Sequence, residues 1–240
     1  MTKALFRDDA YLKECSATVV GVNERGGVVL DRTVFYPNGG GQPGDTGVLV
    51  WEGREMEVAT TVKGETPDEV VHVPAEDAAV PEVGTQVTAR LDWDRRYRHM
   101  RVHTGLHLLS VVIPLPVTGG QISAEKGRLD FDMPEAPEDK DAVERALQAL
   151  VDGDHRVSDE WITDAELAAQ PEMVKTMSVK PPTGAGHVRL VRIGGDPDAP
   201  VDLQPCGGTH VRSTAEIGKL RLGKVEKKGR QNRRVSIHID

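Results

Sequence analysis

Four residues able to hold a metal ion come as two pairs in this 240-residue sequence, one near its middle and one near its end. In "HTGLH", His103 and His107 are four residues apart, so on a helix both imidazoles leave the same face. In "PCGGTH", Cys206 and His210 are again four apart, with two glycines between them that suit a tight turn beside an ion. The helical pair could take adjacent corners of a tetrahedron, and the second pair would add a thiolate and a third imidazole. Such a mixed nitrogen and sulfur set suits zinc, whereas magnesium and calcium prefer oxygen. Thr104 stands where a zinc peptidase of the His-Glu-x-x-His type carries its general base, which argues against that chemistry. Structural zinc modules draw their ligands from short cysteine-rich knuckles. A site joined across roughly a hundred residues points instead to a larger fold and to catalysis.

A third stretch, "NGGGQPGDTG" (38–47), is a long glycine-rich loop. Its bare backbone amides could meet a carboxylate, a phosphate or a substrate carbonyl, and it could equally be an elaborate hairpin connection. It is not a P-loop, because no Lys-Ser or Lys-Thr follows. Charge supplies a fourth signal. Residues 219–234 carry eight Lys or Arg against Glu226 alone, a local balance of +7 on a chain of net −8, which leaves the rest at −15. A basic strip on an acidic body can bind phosphates, since the local field decides this more than the total.

These residues need elements to hold them. Up to about residue 92 the sequence reads as β structure: "CSATVVGV", "GGVVLDRTVFY", "TGVLVWEG", "REMEVATTV", "DEVVHVP" and "VGTQVTARLDW" are β-branched runs separated by glycine turns. Short strands at this spacing predict a small barrel or a curled sheet. From Asp94, a plausible N-cap, a helix is expected through about Ile113, ended by Pro114. A second helix is expected over 138–151 and a short third one after Thr163, whose spacing to Glu166 makes a capping box. "HVRLVRIG", "KLRLGKVEKKG" and "RRVSIHID" read as strands, the last two as a hairpin. The expectation is an α+β chain: a small β-barrel over residues 1–92, then an α+β unit over 93–240 with helices and antiparallel sheet. Two cysteines give no disulfide framework, and "MTKALFRDDA" lacks the apolar core of a signal peptide, so a cytoplasmic protein is expected.

Taken in order, "GGGQPGDTG", "RRYRHMRVHTGLHLL", "GRLDFD", "CGGTHVRSTAEIG" and "KGRQNRRV" resemble the editing domain of alanyl-tRNA synthetase and, more closely, its free-standing AlaX-type relatives in their medium-length form. The resemblance runs from about Val28 to the end of the sequence. It implies a trans-editing hydrolase that deacylates mischarged tRNA(Ala), chiefly seryl-tRNA(Ala), with glycyl-tRNA(Ala) as a second substrate. It implies zinc on His103, His107, Cys206 and His210. It places Thr46 in the amino-acid pocket, against the seryl hydroxyl, with Gly40, Gly41, Gln42 and Asp45 of the same motif and, by a looser match, Gln121 and Ser123. Gly105 departs from the family, where alanine is usual; mid-helix glycine costs about 1 kcal/mol, so a softer turn between the ligands is expected.

For the RNA, the candidate phosphate contacts are Lys224, Lys227, Lys228, Arg230 and Arg233, with Arg95, Arg96, Arg98 and Arg101 on the first helix as a second set. The metal could polarise the ester carbonyl, activate water or orient the substrate amino group. Two other readings keep the zinc: a non-catalytic RNA-binding module that it stabilises, and an esterase for small molecules.

Overall fold

The computed structural model describes residues 2–66, 68–177, 186–196 and 199–240. The chain is α+β and divides into two compact units, Met1–Tyr97 and Arg98–Asp240.

The first unit opens with a short strand β1 (Lys3–Ala4) and a single helical turn α1 (Leu5–Asp8). Strands β2 (Glu14–Val22), β3 (Val28–Leu30), β5 (Gly47–Trp51), β6 (Arg54–Lys63), β7 (Val70–Pro74) and β8 (Gln86–Leu91) close into a barrel in the order β2-β3-β7-β6-β5-β8, while β4 (Arg32–Thr33) pairs with β1. Alternation explains the closure. In β6, Met56 and Val58 point inward and are fully buried while Glu55 and Glu57 face water, and Leu30, Leu49, Ala89 and Val19 complete the core from neighbouring strands.

The glycine-rich loop enters this barrel and is shaped by it. Gly39 and Gln42 exchange backbone hydrogen bonds of 3.1 and 3.0 Å around Gly40 and Gly41, whose φ values of 57° and 82° are those of a two-residue hairpin turn. Gly44 passes so close to β6 that a Cβ would lie 1.9 Å from the carbonyl oxygen of Thr61. Asp45 is only 1% exposed and pairs with Arg96, which is wholly buried. The same carboxylate accepts the N–H of Tyr36 at 2.6 Å, and Arg96 also donates to the carbonyls of Ala10 (3.0 Å) and Val34 (2.7 Å). These contacts give Asp45, expected at the substrate, and Arg96, expected among the phosphate contacts, a structural part in the first unit. Gln42, likewise expected at the substrate, is fully buried in this unit.

A buried histidine makes the barrel sensitive to acid. His72 Nδ1–H donates to Val28 O at 3.0 Å, which leaves Nε2 to accept from the Thr33 hydroxyl at 2.8 Å, so both ring nitrogens are satisfied in the neutral form. Burial pushes its pKa down from the usual 6.5 to about 4. Above pH 6.5 folded and unfolded chains both hold it neutral, and its contribution is intact. As pH falls below 6.5 the unfolded chain takes up the proton first, so stability should drop by about 1.4 kcal/mol per pH unit, to a total of about 3 kcal/mol near pH 4. Denaturant midpoints between pH 7 and 4.5, with the His72 ring followed by NMR, check this; an imidazole titrating near 6.5 in the folded protein would refute it.

Helix α2 (Trp93–Val112) carries the chain from the first unit into the second. Its cap is Asp92, whose Oδ1 accepts the N–H of Arg95 at 3.1 Å, two residues before the Asp94 that sequence suggests. In the second unit, β9 (Val117–Ile122), β10 (Lys126–Asp132), β14 (Leu220–Lys227) and β15 (Asn232–Ile239) form an antiparallel sheet in the order β14-β15-β10-β9. Gly105 lets α2 lie close on it: a Cβ there would sit 2.9 Å from Ile237 Cδ1 and 3.5 Å from Leu220 Cδ1.

Helix α3 (Lys140–Asp152) is capped by Asp139, and α4 (Asp164–Ala168) has the expected Thr163–Glu166 capping box. The remaining strands, β11 (Val157–Thr163), β12 (His187–Ile193) and β13 (Asp202–Pro205), make an antiparallel sheet in chain order. Short 3-10 turns at Pro171–Met173 and Thr214–Ile217 complete the unit.

Candidate metal centre

Helix α2 presents His103 and His107 from one face, and the turn that follows β13 presents Cys206 and His210. One donor atom from each of the four lies within 4.8 Å of the others. Cys206 Sγ is 3.5 Å from His103 Nε2 and 3.3 Å from His210 Nε2. All three imidazoles are buried. The two sequence motifs are therefore halves of one cluster.

Sequence reasoning missed what surrounds it. His107 donates Nδ1–H to Asp202 Oδ2 at 2.9 Å, which turns its Nε2 away from the carboxylate. Asp202 is held in turn by Lys175 Nζ at 2.5 Å and by Gln204 Nε2 at 2.7 Å. His210 Nδ1 lies 3.1 Å from Thr104 Oγ1, which also accepts the N–H of Val211 at 3.4 Å. Arg189 spans the turn, donating to the carbonyls of Cys206 and Gly208 at 2.9 Å each and forming a two-point pair with Asp159. The Gly208 N–H points to the sulfur at 3.4 Å. A signal for part of this was present in "VDLQPC": Asp202, Gln204 and Cys206 alternate, so a strand there carries three polar side chains on one face.

The electrostatics favour an ionised thiol. Burial alone would raise the pKa of Cys206, but the His103 and His210 imidazoles beside it outweigh this and hold it well below its ordinary value. Burial raises Asp202 as well, and His107 and Lys175 overcome that to bring it down to about 2. Burial would lower His107; its hydrogen bonds to Asp202 and Cys206 lift it to about 9. A thiolate with imidazoles is the donor chemistry zinc takes, and for His107 and His210 the bond at Nδ1 fixes Nε2 as the nitrogen that faces inward.

The other candidates each have their own setting. Thr46 is half-buried just before β5, its carbonyl accepting the N–H of Asp92 at 2.8 Å. Gln121 is exposed on β9, where its side-chain oxygen accepts from Arg128 at 2.9 and 3.1 Å, and Ser123 donates its hydroxyl to Lys126 O at 2.8 Å within the β9–β10 turn. Lys224, Lys227, Lys228 and Arg230 are exposed on the β14–β15 hairpin, with Lys228 3.1 Å from Glu226. Arg233, also expected as a phosphate contact, is half-buried and donates to the carbonyls of Asn232 and Pro134, which ties it to the hairpin. On α2, Arg101 is similarly committed, to Ile217 O and Asp240 O at 2.7 Å each.

Two family models match the chain: tRNA synthetases class II (A) over residues 3–95, and the threonyl and alanyl tRNA synthetase second additional domain over residues 188–236. The chain is thus assembled from pieces shared with aminoacyl-tRNA synthetases. It is 37% identical over 244 residues to the alanyl-tRNA editing protein AlaX-M of Methanosarcina acetivorans, covering 98% of both chains. It is 36% identical to the AlaX-M protein of Saccharolobus solfataricus, again over 98% of each. An alanine–tRNA ligase of Pyrobaculum calidifontis is 37% identical over 94% of this chain but only 25% of its own length. The chain belongs to the AlaX family of alanyl-tRNA editing proteins. Among the described residues no helix is long and apolar enough to cross a membrane.

Proposed function

We propose that this protein is a trans-editing hydrolase that cleaves the aminoacyl ester of mischarged tRNA(Ala), with seryl-tRNA(Ala) as chief substrate and glycyl-tRNA(Ala) as a second, acting in the cytoplasm at a zinc centre on His103, His107, Cys206 and His210. The carrying observation is that donor atoms from two motifs about a hundred residues apart meet within 4.8 Å, in a chain that matches AlaX-M proteins end to end. When bound, zinc supplies Lewis-acid polarisation or orientation of the ester group. The chain's own residues do the rest. Asp202 and Thr104 hold His107 and His210 in fixed rotation, and Arg189 fixes the cysteine turn. Asp202 has its oxygens engaged by His107, Lys175 and Gln204, so it is no free general base. The exposed Lys224, Lys227, Lys228 and Arg230 lie along one hairpin and suit a phosphate backbone.

Deacylation of seryl-, glycyl- and alanyl-tRNA(Ala) by metal-replete protein tests the proposal: the first two should be cleaved and the third spared. A site that hydrogen-bonds the seryl hydroxyl leaves its own polar group unpaired when alanine enters, which supports strong rejection. Thr46→Val should slow seryl-tRNA(Ala) hydrolysis by about twofold to tenfold, the worth of one hydrogen bond, and glycyl-tRNA(Ala) much less. Equal loss on both substrates would assign Thr46 to loop structure, and no loss on either would place it outside the pocket.

A further inference from the structure

Three residues stand in a row across one face of the β11-β12-β13 sheet. Trp161 on β11 is the register partner of Arg189 on β12, and Leu190 pairs with Pro205. The next step along β13 sets Cys206 beside Arg189, with the N–H of Cys206 donating to Arg189 O at 3.2 Å. Cross-strand partners point to the same side, so Trp161, Arg189 and Cys206 share the face that carries Asp202 and Gln204 toward the metal cluster. Two interstrand steps of about 4.8 Å put the backbone of Trp161 about 10 Å from that of Cys206. Of the nine Trp, Tyr and Phe residues in the chain, Trp161 alone is exposed, at 55%.

We propose that Trp161 is the stacking platform for the base of the 3′-terminal nucleotide of the tRNA. The inference rests on the deacylase reading above. The ester sits on the ribose of that nucleotide, so its base is one sugar ring away from the reacting carbonyl, and a carbonyl held at the cluster puts the base over the neighbouring edge of the same sheet. The guanidinium of Arg189 is spent on Asp159 and on the Cys206 and Gly208 carbonyls, which ties β11 to the cysteine turn. Stacking on an aromatic ring is the usual way a protein grips an unpaired base at an RNA end.

The test uses the metal-replete full chain, uncharged tRNA(Ala) and seryl-tRNA(Ala). Trp161→Ala should weaken tRNA binding and raise KM about 5- to 150-fold, with kcat within about twofold, and Trp161→Phe should recover most of the loss. A tRNA whose terminal nucleotide lacks its base should bind wild-type protein as poorly as Trp161→Ala binds intact tRNA, and the two losses should not add. Wild-type protein that cleaves seryl-tRNA(Ala), together with a Trp161→Ala variant whose Kd and KM are within twofold of wild type, overturns the stack and leaves the deacylase standing. Additive losses, or a fall in kcat accompanied by lost zinc or a changed oligomeric state, also overturn it. A wild-type protein that binds tRNA through Trp161 but cleaves nothing removes the deacylase and keeps the platform.

Discussion

Cys206→Ala should leave the protein with far less than one zinc per chain and with seryl-tRNA(Ala) hydrolysis near background. The thiolate is the single sulfur donor of the cluster, and all three imidazoles lie against it. Its loss removes a strong ligand and the negative charge that offsets the cation, so affinity should fall by about two orders of magnitude or more. His107→Ala should behave alike. Asp202→Ala makes the informative contrast: it removes no ligand but frees His107 to rotate and leaves Lys175 without its partner, and changes of this kind cost about 10- to 100-fold in metal affinity. Chelator competition should therefore rank wild type above Asp202→Ala and Asp202→Ala above Cys206→Ala. Excess zinc should restore the middle variant first. Unchanged zinc content in both Cys206→Ala and His107→Ala would dissolve the proposed centre.

Asp45→Ala should cost the first unit about 3–5 kcal/mol, because it strands the guanidinium of Arg96 where no water reaches it. Little of this is the worth of the ion pair itself. A second change that removes the stranded charge, Arg96→Met, should recover much of the stability in the Asp45→Ala background, since burying neither charge is cheaper than burying one. Thermal or denaturant unfolding of the four proteins gives the cycle. If Asp45 were instead a substrate contact, its replacement would alter the preference among seryl-, glycyl- and alanyl-tRNA(Ala) and leave the unfolding midpoint alone. The geometry predicts the reverse on both counts.

The contrast between Asp45 and Cys206 shows where sequence was legible. Strands such as β6, with Met56 and Val58 alternating against Glu55 and Glu57, announce themselves by period, and so does the Thr163–Glu166 cap. Strand β9, "VTGGQI", is half glycine and polar, and its pairing with β10 comes from the partner strand rather than from its own propensity. Strand β13 ends in a proline and is four residues long. For the site, ligand type and spacing sufficed for the four metal candidates. Residue type alone could not separate Asp45, which the barrel uses, from a polar group offered to substrate, because burial is a property of the fold. Nor could it join Lys175 to Asp202, which are 27 positions apart and meet only once β13 is laid beside β12.

The hundred-residue gap between the two halves of the cluster also sets the order of events as the chain is made. Synthesis runs from the N-terminus, so His103 and His107 emerge while Cys206 and His210 do not yet exist. Two imidazoles on a helix are a weak trap for a metal, and the remaining donors arrive only after β9 to β13 have been translated and packed. Closing so long a loop is entropically costly and slow, and contacts of this range form late in folding. A metal taken up by these four residues would thus be a clasp on a finished architecture and no seed for it. Refolding in the presence of a chelator should reach a compact second unit at nearly the normal rate, with the clasp added afterwards.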